Sequence, residues 1–148
     1  MANELTELQI VIRLCLAFVA GSIIGLERSS RRQVAGLRTH VLIALGASCL
    51  MLLSIWLPQQ LGGGDPGRIA AQVVAGMGFL GAGAIIKLGN NIRGLTTAAS
   101  LWLTAAIGLT IGAGMYITAV TVVVLALITL ILMHFLERKI FPEDNWKS

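Results

Sequence analysis

GMGFLGAGAIIKLGNNIRGLTTAASLWL, running from Gly76 to Leu103, is the stretch that decides how the chain folds. It holds the end of one apolar run, a short polar loop with Lys87 and Arg93, and the start of a second apolar run. Gly76, Gly78, Gly81 and Gly83 crowd the first run. Each glycine costs about 1 kcal/mol in a helix in water. In lipid that loss can be offset where small residues let two backbones approach closely. The polar residues gather at one end of each run, and short basic loops stay in the cytoplasm. The stretch therefore reads as a membrane-embedded helical hairpin whose loop is cytoplasmic.

Composition extends this reading to the whole chain. Of 148 residues, 56% are apolar and only 12% charged, against roughly 25% charged in a soluble domain. A water-soluble chain this short has too high a surface-to-volume ratio to hide so much apolar surface. The length suits about five spans of roughly 20 residues, with little left for a soluble domain. The net charge of +4 does not indicate nucleic acid, because the basic residues lie between apolar runs and form no stripe on a soluble face. Cys15 and Cys49 fall inside apolar runs without metal-ligand spacing and read as small hydrophobes. The first apolar run lacks a basic leader and an Ala-x-Ala cleavage site, so it reads as a retained helix.

Residues 1–7 are short and acidic and read as an external N-terminus. The first span is expected at 8–26, with Arg13 near its start as a snorkelling anchor. Ala17, Gly21 and Gly25, spaced by four, give it a smooth face for helix packing. A loop with Arg28, Arg31, Arg32 and Arg38 leads to a second span at 37–57, closed by Trp56 at the far interface. PQQLGGGDPG, residues 58–67, reads as an external turn-rich loop. Asp65 and Pro66 are expected to cap and open a third span at 68–88. The fourth span is expected at 95–113 and begins with Thr96 and Thr97. Gly112-Ala113-Gly114 reads as a turn, followed by a Val/Leu/Ile-rich fifth span at 115–136 and a polar cytoplasmic tail at 137–148.

The fold class is thus an all-α membrane protein with five transmembrane helices. Lys and Arg concentrate in the loop between spans one and two, the loop between three and four, and the tail. Five spans put all three inside only if the N-terminus is out and the C-terminus in. Gly21-Ser22-Ile23-Ile24 loosely matches Gly83-Ala84-Ile85-Ile86, and Gly36-Leu37-Arg38-Thr39 matches Gly94-Leu95-Thr96-Thr97. Spans one and two and spans three and four therefore form a weak parallel repeat about an axis along the membrane normal.

Several chemistries can be weighed. Gly76-Met77-Gly78-Phe79-Leu80-Gly81 fits the dinucleotide pattern G-x-G-x-x-G, but it lies inside an apolar helix without the strand or the downstream acid the motif needs. It reads as packing. Of the seven carboxylates, only Glu27 and Asp65 lie near the membrane boundary between spans, and the topology puts them on opposite sides. A magnesium cage wants several converging oxygens, and no obvious one is expected within one protomer, although backbone carbonyls or an oligomeric axis could supply it. Glu27 is expected to pair locally with an arginine. His40 and His134 stand alone at cytoplasmic helix ends. No catalytic set, metal site or cofactor motif is expected.

The more suggestive group is cytoplasmic. Spans two and four both begin Gly-Leu-x-Thr with their N-termini inward, and Arg28, Arg38 and Arg93 lie nearby in sequence. Helix N-termini and arginines both bind oxyanions. This suits a site for an anion, a lipid headgroup or an acidic segment of a partner. It equally suits positive-inside arginines beside threonine caps.

Gly25-Leu26-Glu27-Arg28, Ala35-Gly36-Leu37-Arg38-Thr39-His40, Asp65-Pro66-Gly67-Arg68-Ile69-Ala70-Ala71-Gln72, Gly78-Phe79-Leu80-Gly81-Ala82-Gly83 and Arg93-Gly94-Leu95-Thr96-Thr97-Ala98-Ala99 occur in this order. These blocks closely resemble the MgtC/SapB family of bacterial membrane proteins, over about Leu14 to Gly114. The resemblance implies a five-span protein of the bacterial inner membrane, linked to growth in low magnesium and to virulence through survival inside macrophages. It implies action on other membrane proteins, the F-type ATP synthase among them, rather than carriage of Mg²⁺. It singles out Glu27, Arg28, Arg38, Thr39, Asp65, Arg68, Arg93, Thr96 and Thr97. Well-known members continue into a cytoplasmic C-terminal domain. This chain stops at Ser148 and reads either as a short form without that domain or as a truncated piece of a longer protein.

Three functions compete at this level. The first is a non-enzymatic modulator of another membrane protein. The second is an ion transporter or channel for Mg²⁺, protons or an anion, built on the hairpin repeat. The third is a scaffold that forms a homo-oligomer through the glycine faces of spans one and three.

Overall fold

The computed structural model describes residues 5–89 and 91–140. Five main helices follow in order: α1 (Glu7–Ser30), α2 (Leu37–Leu61), α3 (Arg68–Ala84), α4 (Leu95–Gly112) and α5 (Tyr116–Ile128). A small hairpin of β1 (Ile86–Leu88) and β2 (Asn91–Arg93) separates α3 from α4. Beyond α5 the chain passes through a π-helical turn, Thr129–Met133, into α6 (His134–Ile140). The chain is an all-α membrane protein. Four helices, α1, α2, α4 and the rod Tyr116–Met133, are long and apolar enough to cross a bilayer. The fifth, α3, has 17 residues, at the short end of the range for spanning helices.

Helix ends follow local chemistry. Thr6 opens α1 with a reciprocal capping box: Gln9 N donates to Thr6 Oγ1 and Thr6 N donates to Gln9 Oε1, each at 3.3 Å. α1 runs on to Ser30 rather than stopping near residue 26, because its last charged residues pair with one another and do not face lipid alone. α2 passes Pro58 and ends at Leu61, with Gly62 in the left-handed conformation donating to Pro58 O. Pro58 is tolerated there because only the Ser54 carbonyl loses a partner. The formal cap of α3 is Gly67, not Asp65. Asp65 acts one step earlier, accepting from Gly67 N at 2.8 Å, an Asx turn that leads the chain into the helix.

The largest departure is at the end of the third span. The apolar pattern predicts helix to residue 88, but α3 stops at Ala84 and Ile85 turns extended. β1 and β2 pair antiparallel, Ile86 opposite Arg93 and Leu88 opposite Asn91, around Gly89 at φ +61°. β-branched residues on both sides of a Gly-Asn pair favour a two-residue hairpin over a helix. Gly94 then lies at φ +91°, where a methyl group would run into Ala84 O. Ile23 and Ile24 are helical, whereas neither of their repeat counterparts is: Ile85 is extended and Ile86 opens β1. The two hairpins share the start of their second helices, not the close of their first.

α4 is the centre of the bundle and touches α1, α2, α3 and α5. Its core meets α1 and α2 around Ala17, Ile24, Ala44, Ile107 and Ile111. Close approach depends on glycine. A methyl group at Gly21 would sit 2.8 Å from His40 O, and one at Gly25 2.7 Å from Leu37 Cα. On α4, Gly108 abuts Ala44 O, and a methyl at Gly112 would lie 2.7 Å from Ser48 O. The expectation for α3 is corrected. Methyl groups at Gly76, Gly78 and Gly83 would meet no described atom within 4 Å, and one at Gly81 only Ala98 Cβ at 3.8 Å. Gly76, Gly78 and Gly83 therefore lie on the open side of α3 and do not pack the described bundle, whereas Gly81 is half-buried against Ala98 of α4.

Arg13 also differs from a simple snorkelling anchor. Its Nη1 donates to Gly112 O at 2.7 Å, placing a cation against the negative C-terminal end of α4. Trp56, Phe79 and Ile117 are among the large apolar side chains exposed on the perimeter, where the bilayer is their solvent. Residues 1–4 and 141–148, with most of the expected N-terminal segment and tail, lie outside the described residues; 137–140 are helical.

Candidate functional site

A group of polar and charged side chains converges at one end of the bundle, where α1 ends and α2 and α4 begin. Glu27 sits in the last turn of α1 with its side chain 7% exposed. Arg31, one turn on, donates Nε to Glu27 Oε1 at 2.5 Å. Arg28, with a side chain 4% exposed, places Nη1 3.7 Å from Glu27 Oε2. A buried charge is tolerated only with such partners, so the expected pairing of Glu27 with an arginine is present, twice over. The three groups together carry one net positive charge.

Arg28 reaches across to α4. Its Nη2 donates to Thr97 Oγ1 at 3.4 Å, and Thr97 Oγ1 donates to Gln33 Oε1 at 3.4 Å. Both are longer than an ordinary hydrogen bond. Arg28 Nε and Glu27 Oε2 are buried without a hydrogen-bond partner. The cluster is therefore enclosed but not saturated.

His40 lies beside this group and is fully buried, not at a wet helix end. Nδ1 is 2.8 Å from Gly36 O and Nε2 is 3.2 Å from Ser100 Oγ. A carbonyl only accepts, so a neutral ring must carry its proton on Nδ1. Nε2 then needs the Ser100 hydroxyl as donor. Ser100 Oγ also lies 2.8 Å from Thr97 O, an alternative acceptor for the same single proton. The hydroxyl links the histidine to the backbone of the turn that holds Arg28.

Ser29 completes the α1–α2 corner. Gly36 offers no side chain to cap α2, and Ser29 Oγ accepts from Leu37 N at 2.8 Å instead. Any side chain at Gly36 would strike Ser29 Oγ. α4 likewise begins at Gly94 without a side-chain cap, so its first N–H groups have no side-chain acceptor.

The residues singled out by the sequence fall into two sets. Glu27, Arg28 and Thr97 meet in the cluster. Arg38, Thr39, Asp65, Arg68, Arg93 and Thr96 are exposed. Thr96 borders a cavity of about 260 Å³ with Arg28, Arg31 and Gln33, whereas Arg38 and Thr39 line a separate cleft with Ser29 and Gly36. Arg93 lines neither. His40, Ser100, Arg31 and Gln33 belong to the cluster although sequence reasoning did not select them. Of these, only Arg31 carried a signal, its i,i+4 spacing from Glu27. Among the described residues no three His, Cys, Asp or Glu side chains gather as metal ligands.

Comparison with known proteins places this arrangement. The MgtC family model matches residues 14–139. The chain is 49% identical over 141 residues to a protein of Escherichia coli K12 named "Putative magnesium transporter YhiD", covering 92% of this chain and 66% of that protein. It is 40% identical over 140 residues to Protein MgtC of Salmonella typhimurium LT2, covering 95% of this chain and 59% of that protein. It is 50% identical over 103 residues to Protein MgtC of Brucella abortus, covering 68% of this chain and 42% of that protein. The chain thus spans about two thirds or less of the length of these relatives. No solved structure matches it. With the glycine-packed bundle and the Glu27–Arg28 corner inside the matched region, the chain belongs to the MgtC family.

Proposed function

We propose that this chain serves the bacterial inner membrane as a non-enzymatic modulator of another membrane protein during adaptation to low magnesium and to life inside a host cell. The carrying observation is the state of Glu27. Its carboxylate is held by Arg31 at 2.5 Å and approached by Arg28 at 3.7 Å. A divalent cation arriving there would have to displace two guanidinium groups and enter a region of net positive charge. Such a centre suits an architectural or anion-recognising role better than passage of Mg²⁺. The family resemblance supplies the partner class, a membrane complex such as the F-type ATP synthase.

A second reading, a magnesium transporter, draws on the name of the YhiD relative. Proteoliposomes holding the purified chain and a magnesium-sensitive dye separate the two. The modulator reading predicts Mg²⁺ entry no faster than in empty vesicles. Rapid entry that is abolished by Asp65→Asn would overturn it.

A further inference from the structure

The cavity at the basic end does not stop at its polar walls. Arg28, Arg31, Gln33 and Thr96 line it on one side, and Thr129, Leu130 and Met133 on the other. A second hollow of about 360 Å³ shares Thr96, Thr129 and Leu130 with it and continues between α4 and α5 past Leu103, Ile107 and Val122. The first hollow is charged and lies at the membrane boundary. The second is almost wholly apolar and runs into the bundle.

We propose that these joined hollows bind one anionic glycerophospholipid, with its phosphate at Arg28 and Arg31 and an acyl chain in the α4–α5 groove. Three observations support this. Arg28 lines the cavity with a side chain only 4% exposed, and its enclosed Nε has no acceptor among the described residues, so Glu27 and Thr97 do not satisfy all of its donors. Glu27 neutralises only one of the two arginines, and the remaining positive charge sits beside the uncapped start of α4, where N–H groups and the helix dipole favour a phosphate. The groove has the right length. From Thr96 to Ile107, α4 rises about 16 Å at 1.5 Å per residue, close to half of a hydrocarbon core of roughly 30 Å. That is the depth of one leaflet's chains.

The apolar continuation selects a lipid over free phosphate, which would use the arginines and leave the groove unfilled. Basic pockets between helices on the cytoplasmic side are known lipid headgroup sites. The π-helical turn forms the far wall of the charged cavity, and such turns are frequent at functional sites.

The test is native mass spectrometry of the full chain in detergent, with phosphatidylglycerol, phosphatidylcholine or inorganic phosphate added. Arg31→Gln removes one headgroup contact but leaves the Glu27–Arg28 pair in place. Ala99→Phe fills the groove from a position that is exposed on α4. Thermal unfolding identifies any variant that fails to fold, and Gln33→Glu, which sets a negative charge on the exposed edge of the cavity and leaves both arginines, then replaces the glutamine variant. The proposal predicts retention of phosphatidylglycerol over phosphatidylcholine. It predicts that Arg31→Gln weakens retention about tenfold, the scale of one charge-assisted contact, and that Ala99→Phe weakens it comparably. Folded variants that hold phosphatidylglycerol like the parent would overturn it. So would binding of inorganic phosphate with no lipid preference, which would make the cavity a free-anion site.

Discussion

At the scale of single residues, the Glu27 carboxylate organises the basic end. Removing its charge would leave Arg28, nearly fully enclosed, without a counterion. Breaking a buried pair typically costs 3–5 kcal/mol, and Arg31 is 29% exposed, so solvent relieves part of the loss. Glu27→Gln is therefore expected to destabilise the folded chain by about 3 kcal/mol, read as a lowered unfolding midpoint in detergent. Arg38→Ala, on an exposed side chain, should change stability by no more than about 0.5 kcal/mol. Equal effects from the two substitutions would contradict this assignment. The Glu27–Arg31 contact was legible in the sequence because i,i+4 spacing brings the two together on any helix. The burial of His40 was not, because its partner Ser100 is on α4, sixty residues away, and only tertiary packing joins them.

At the scale of elements, glycine marks two different situations. On α1 and α4 it is a contact surface: Gly21, Gly25, Gly108 and Gly112 each meet the backbone of α2. On α3 Gly76, Gly78 and Gly83 form an open face. Gly108→Leu should therefore disrupt the α2–α4 contact and lower the unfolding midpoint strongly, since Gly108 already abuts Ala44 O. Gly78→Leu should leave the stability of the single chain within about 0.5 kcal/mol. The reverse order would place the packing face on α3 after all. The Ala17, Gly21, Gly25 spacing revealed the α1 surface in advance. Gly108 and Gly112 carry the same four-residue spacing, but Gly112 also sits next to Gly114, and the turn hid the packing motif. The β-hairpin was similarly obscured. Ile85, Ile86 and Ile92 around Gly89 and Asn90 have strand chemistry, yet Ile85 and Ile86 extend the apolar run of α3 without a break.

At the scale of the whole molecule, charge and apolar length were readable because they reflect the solvent and not the partners within the fold. Short basic loops stay inside, and apolar stretches near 20 residues span. The side-chain ties agree with that layout. Arg28 joins the end of α1 to the start of α4, and Arg13 joins the start of α1 to the end of α4, so the two helices run antiparallel with the basic corners together. The convergence of Arg28, Arg38 and Arg93 could not be read in this way, because it depends on helix rotation, and Arg28 points into the bundle while the other two are exposed.

Everything in the functional reading requires that the Glu27–Arg28 corner face the cytoplasm and the Asp65 turn face outward. The direct measurement is labelling of intact cells with a membrane-impermeant thiol reagent, in a chain whose Cys15 and Cys49 are replaced by alanine. Arg32→Cys and Asp65→Cys each place one exposed thiol, on opposite loops. The predicted result is that Asp65→Cys is labelled in intact cells and Arg32→Cys only after the membrane is opened. Labelling of Arg32→Cys in intact cells would put the basic corner outside and contradict the orientation on which the site, the lipid and the proposed partner all rest.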